Sequence, residues 1–230
     1  MSMMIAIIGT MTIYYLAKKV YKKWSYPFFN PLLLSTTVII AILYFINVPA
    51  NTYIDQAKGI THLLGPATVA FAIPIYKYMP LLKKYFANIV VSISSGSLVS
   101  ILSSFVIALI VHLNPELTMS ILPRSVTTPV AIEISQGIGG LPSLTTIFVI
   151  ITGIIGGVMG PYIIKWFSIQ SPIARGLALG MGAHGSGTSA AMEYGEKEAT
   201  FSMIGLIFAA WISLFWVNSL IPSLLLFIRI

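Results

Sequence analysis

The chain has no cysteine, which excludes disulfides, thiolate metal sites and cysteine-anchored haem and leaves the redox compartment unread. Charge is almost as scarce. Only 8% of the 230 residues are Asp, Glu, Lys or Arg, and Asp55 is the only aspartate, whereas soluble domains carry about 25% charged residues. Hydrophobic residues make up 57%, and several apolar runs reach or approach the ~20 residues that span a bilayer. This is the composition of an all-α integral membrane protein, with residues 1–230 read as one membrane domain. The net charge of +7 comes from Lys and Arg at segment ends, a pattern of cytoplasmic loops rather than of a nucleic-acid surface.

Eight apolar stretches are candidate membrane segments: 5–17, 32–48, 63–79, 89–111, 126–140, 144–164, 173–192 and 201–228. The first precedes Lys18, Lys19, Lys22 and Lys23, the reverse of a signal peptide, and reads as a retained helix with its lysine end in the cytoplasm. If all eight cross, eight of the 13 basic residues lie inside. If 126–140 enters and returns on one side, ten do, with Lys197 outside and Ser168 in the cytoplasm. Because Lys and Arg favour cytoplasmic loops, seven crossings plus one re-entrant segment is the preferred expectation.

Three segments carry helix breakers. Residues 63–79 contain Gly65-Pro66 and Pro74, residues 123–140 run from Pro123 through Thr127-Thr128-Pro129 to Gly139-Gly140, and residues 180–195 hold five glycines. Unpaired backbone at bilayer depth costs several kcal/mol per group, so such segments occur where protein or a wet cavity satisfies them. Internal echoes accompany them. Gly65 to Ala70 matches Gly185 to Ala190 at G-x-x-T-x-A, and Thr128 to Glu133 matches Thr188 to Glu193 at T-x-x-A-x-E. An inverted repeat would give such echoes; shared composition would too.

Thr127, Thr128 and Pro129 have the form of a helix start, and Gly185, Ser186, Gly187 and Thr188 resemble a second one. Two half-helices with free N–H groups facing each other would hold a small carboxylate without a buried arginine. Gly65 and Thr68 are expected to add to the same substrate site through their block. Glu133, the only charge between Arg124 and Lys165, is a proton or sodium coupling candidate, with Gln136 on its face and Glu193 in the second segment. The alternative is a structural acid paired with Arg124 or a backbone group, or one near the surface if the segment is short. His184 either relays a proton or makes a plain polar contact, and with no second ligand at the right spacing neither metal nor cofactor is expected. Gly153, Gly156, Gly157 and Gly160 mark tight helix packing. No hydrolase spacing accompanies Gly185-Ser186-Gly187, so catalysis is disfavoured.

The blocks Ser125 to Ser135 with Gly137, Gly139 and Gly140, Ala174 to Gly180, Gly182 to Ala191, and Leu64 to Ala70 resemble the LrgB/CidB family of antiholin-like membrane proteins. The resemblance implies two different functions. One is modulation of murein hydrolase export and cell lysis beside a small LrgA/CidA-type holin-like partner. The other is carriage of small monocarboxylates, pyruvate in bacteria or glycolate and glycerate in plastids. It also implies a bacterial cytoplasmic membrane location and, as an expectation, a homo-oligomer.

Overall fold

The computed structural model describes residues 3–24 and 29–228, the side chains at 64, 67, 68 and beyond 220 excepted. The described residues form helices joined by turns, without a strand among them. After Ile73 the chain divides into two compact units. The first holds α1 (Met3–Lys23), α2 (Pro31–Phe45), α3 (Ala50–Gln56), α4 (Lys58–His62) and α5 (Leu64–Ala70). Asn30 accepts the Leu32 N–H at 3.0 Å and Pro31 sits at the first helical position, which fixes where α2 begins. α1 packs along α2, and Thr10 meets the Tyr53 hydroxyl of α3 at 2.6 Å. The expected third span is broken into short pieces, as its prolines demand.

α6 (Ala72–Lys77) carries the chain over the division, and the second unit continues through α7 (Met79–Lys84), α8 (Phe86–Ile110), α9 (Pro115–Ile121) and α10 (Thr128–Gly137). It closes with α11 (Pro142–Trp166), α12 (Pro172–Tyr194) and α13 (Glu196–Ile228). The same start device recurs: Asn114 accepts the Leu117 N–H at 2.8 Å ahead of Pro115, and Ser171 accepts the Ala174 N–H at 3.4 Å ahead of Pro172. Among the described residues, four helices, α1, α8, α11 and the first 25 residues of α13, are long and apolar enough to cross a membrane.

α9 and α10 form a short hairpin between α8 and α11. Its tip is the irregular stretch 122–127, and its base closes where Ser120 accepts the Leu141 N–H at 2.7 Å. Ile101 and Phe105 of α8, Leu122 and Val126 of the tip, Ile134 of α10 and Val149 of α11 pack as one buried cluster around it.

α12 differs from expectation. Residues 173–192 read as a crossing, but α12 is also a hairpin, bent at His184 where φ is 49° and ψ is −125°. In a straight helix Arg175 and Tyr194 would stand roughly 28 Å apart. Here the Arg175 guanidinium lies 5.4 Å from the Tyr194 ring and 3.8 Å from the Glu198 carboxylate beyond it. Gly187 on the returning arm abuts the Leu179 carbonyl of the entering arm, an approach that leaves no room for a Cβ. Consequently Ser168 and Lys197, expected on opposite sides of the membrane, flank the same end of the unit: Ile169 and Ser171 line one cavity together with Lys197.

The two hairpins enter from opposite ends. Leu141, at the start of α11, touches the first hairpin's base, while the end of α11 leads into the second. The glycine stripe performs as expected. Gly156 of α11 leaves room for the Gly182 carbonyl and Ala183, and Gly157 for Ser186, so α11 lies close against the second hairpin.

Candidate functional site

The tips of the two hairpins meet. Arg124 stands at the first tip, where the backbone is held by Arg124 N–H to Ile121 O at 3.1 Å and Val126 N–H to Pro123 O at 3.3 Å. Its Nε donates to Ser104 Oγ of α8 at 2.8 Å and its Nη1 to Thr152 Oγ1 of α11 at 3.4 Å. A short hydroxyl contact between Ser100 and Ser125 pins the same turn one helical step away. Among the described residues the guanidinium's hydrogen bonds go to neutral hydroxyls, and no ion pair includes Arg124.

His184 stands at the second tip. It is 6% exposed, and its Nε2 has no hydrogen-bond partner among the described residues. Nδ1 lies 3.7 Å from where a Cβ on Gly153 would sit, so the glycine stripe makes room for the ring as well as for the helix. The Ser125 backbone and the Arg124 charge, both of the first tip, act on the ring. A histidine at this φ and ψ is strained by about 1–3 kcal/mol, and an unsatisfied buried polar atom costs another ~1–3 kcal/mol. Both penalties fall on one residue. Such concentration of strain and unmet hydrogen bonding makes His184 a candidate site residue.

Other expected residues fall at varying distances from the tips. α10 does begin at the threonine pair, with Thr127 as cap and Pro129 at the second helical position, but no side chain caps it. The N–H groups of Thr128 and Val130 therefore remain outside the helical ladder beside Arg124. Thr188 is not a second cap: its hydroxyl donates to the His184 carbonyl at 3.0 Å and meets Ser202 of α13 at 2.9 Å, bracing the bend from behind. Ser186 and Gly187 pack into the bend, and Gly185 is exposed beside it. Glu133, Gln136 and Glu193 stand on exposed faces of the returning arms, while Ser135 on the opposite face of α10 is buried and bonded to Thr145 at 2.6 Å. No ion pair among the described residues joins Glu133 to Arg124. Gly65 and Thr68 fall on α5 of the first unit; Gly65 is exposed there, and the Thr68 side chain lies outside the described residues.

Arg124 is the residue the sequence reading left out, since the anion was expected to be held without an arginine. One signal could have found it: no other Lys or Arg occurs between Lys84 and Lys165. A lone base in 80 residues of membrane sequence is a functional candidate on the same ground as a lone acid.

Helices of spanning length with two broken hairpins meeting at a cationic and a histidine tip define an integral membrane protein with an interior polar site. The profile of the LrgB-like family matches residues 10–223, and the chain belongs to that family. It is 44% identical to the Bacillus subtilis (strain 168) protein YwbG over 205 residues, covering 89% of this chain and 91% of the relative. It is 38% identical to YxaC of the same organism over 92% of both chains. It is 34% identical to the holin-like protein CidB of Staphylococcus epidermidis (strain ATCC 12228 / FDA PCI 1200) over 96% of this chain and 94% of the relative. No solved structure matches it.

Proposed function

We propose that this protein carries small monocarboxylates across the bacterial cytoplasmic membrane, with the anion held between the hairpin tips. The observation that supports this is the pairing of Arg124, in no ion pair among the described residues, with the partnerless Nε2 of His184. A carboxylate would take the remaining guanidinium N–H groups in a charge-assisted contact, the His184 ring N–H and the free amides at the start of α10. One fixed positive charge balances one negative charge, which favours pyruvate- or glycolate-sized monocarboxylates over dicarboxylates.

The arrangement also has the logic of a carrier. Transport sites near the bilayer midplane are commonly built from discontinuous helices in inverted repeats. α8 with the first hairpin and α11 with the second would form such a pair; this reading is supported by Arg124/His184, Thr128/Thr188, Ala131/Ala191 and Glu133/Glu193, which each stand 60 positions apart. Two of the seven or eight expected segments are then hairpins rather than crossings. Lys77, Lys83, Lys84, Lys165, Arg175 and Lys197 gather at the end of the second unit where the second hairpin has its base, which supports a cytoplasmic placement of that end. A proton taken up at His184 together with a carboxylate beside the ring would make proton and anion binding help each other, whereas Glu133 stands on an exposed face away from the tips.

The names of the Staphylococcus relatives favour a second reading, a holin-like regulator of lysis acting with an LrgA/CidA-type partner or as a homo-oligomer without carrying solute. Uptake of labelled pyruvate and glycolate by sealed vesicles, with and without the LrgA-type partner, separates the two. Uptake that exceeds empty vesicles and is lost in Arg124→Gln supports the carrier; no uptake in either setting removes it.

A further inference from the structure

A cavity of about 640 Å³ opens at the end of the second unit where its basic residues gather. Its wall is largely apolar, from Tyr85, Ile89, Ile173 and Leu177, with Asn88, Ser92 and Lys197 as polar points. Lys197 enters no ion pair among the described residues. Asn88 and Ser92 begin a ridge on α8 that continues at four-residue spacing through Gly96 to Ser100 and Ser104. Those last two serines are the ones that hold the Arg124 turn. A single ridge therefore runs from the cavity to the hairpin tips, small or polar at every step.

One side chain lies across it. Met181, on the entering arm of the second hairpin and one turn before His184, lines the cavity and rests its sulfur and terminal methyl on Gly96. A Cβ placed on Gly96 would come within 2.6 Å of Met181 Sδ, so the methionine fills the notch the glycine leaves. Methionine has three rotatable bonds and no branch, so it can leave such a notch without backbone movement.

We infer that the cavity is the entrance through which the anion reaches Arg124 and His184, and that Met181 seated on Gly96 is the barrier closing it. The inference rests on the carrier reading above. Lys197 at the rim draws the anion in, Asn88 and Ser92 solvate it, and rotation of Met181 opens the last step to Ser100. Closure by a side chain needs no large movement of α8 against the second hairpin.

The chain contains no cysteine, so Ser92→Cys and Ser100→Cys each place one thiol on the ridge, on either side of Met181. A small impermeant thiol reagent is applied from the side bearing Lys197. The Cys at 92 is expected to react readily in every background. The Cys at 100 should react slowly with Met181 present and roughly ten-fold faster or more in Met181→Ala, the rate change for ~1.4 kcal/mol of barrier removed. Met181→Leu, which conserves volume, should keep the slow rate. Equal rates at 92 and 100 with Met181 intact, or a rate at 100 that Met181→Ala leaves unchanged, overturns the barrier. The readout contains no substrate, so a labelling pattern as expected beside absent carboxylate uptake would retain the route and remove the carrier reading instead.

Discussion

Replacing His184 by glycine and by alanine gives a test in which the smaller residue should win. In an ordinary helix interior glycine is about 1 kcal/mol worse than alanine. At His184, with φ of 49° and ψ of −125°, any residue with a Cβ is strained, at about 1–3 kcal/mol. Alanine keeps that strain while losing the ring; glycine loses the ring and releases the strain. Set against the ~1 kcal/mol of extra chain entropy glycine gives up on folding, His184→Gly should be more stable than His184→Ala by up to about 2 kcal/mol. For a chain of this size that is a few degrees in Tm, at roughly 2–4 °C per kcal/mol. Both variants also delete the partnerless Nε2, which offsets part of the lost packing and brings His184→Gly close to the parent protein. The assay is thermal unfolding of the purified variants in detergent, followed by carboxylate uptake in vesicles, which both should lose. If His184→Ala proves the more stable of the two, α12 runs through residue 184 as continuous helix and the hairpin is wrong.

Arg124→Gln removes a charge-assisted contact of ~1.5–3 kcal/mol, so carboxylate binding should weaken roughly ten- to 150-fold in a substrate-protection assay; unchanged affinity would place the anion elsewhere. Single cysteines at Ser168 and Lys197 should both react with an impermeant reagent from the cytoplasmic side, because α12 returns to the end it left; labelling from opposite faces would restore the crossing. Glu133→Gln should keep uptake driven by a pH gradient, since Glu133 stands on an exposed face of α10, whereas His184→Gln should lose it while retaining some substrate exchange. Loss of gradient-driven uptake in Glu133→Gln alone would return coupling to the carboxylate.

The sequence revealed where the membrane segments fail as helices but less of what the failures build. Pro129 after the threonine pair and the glycines of α11 act through local rules of helix starting and close packing, so their roles could be read in advance. The T-x-x-A-x-E echo was also visible and falls on the returning arms of both hairpins. The bend in α12 was not visible. Its length matches a crossing, and the turn is made by a histidine, which carries no turn signal, with neighbouring glycines that read equally well as helix contacts. Arg124 was hidden for a related reason: the depth of a residue at a tip depends on the chain turning back, and charge spacing alone places such a residue at a segment end. The lone-acid argument picked out Glu133 by rarity, but rarity does not say which way a side chain faces. Ala131, Ile134 and Ser135 take the buried face of α10 and leave Glu133 and Gln136 the other.

The second hairpin also constrains the order in which the protein is made. Neither arm is long enough to span a bilayer, and the tip carries a polar ring, so the segment has little reason to enter lipid by itself. Its arms are packed and bonded by what comes next: Ser202 meets Thr188, and Gly176 and Gly180 lie against the backbone of Glu198 and Ser202. While α13 is still on the ribosome, the hairpin has α11 on one side but lacks the second surface it folds against. Its full seating therefore awaits release of α13, and a nascent chain halted after Tyr194 would hold residues 172–194 packed on one side only.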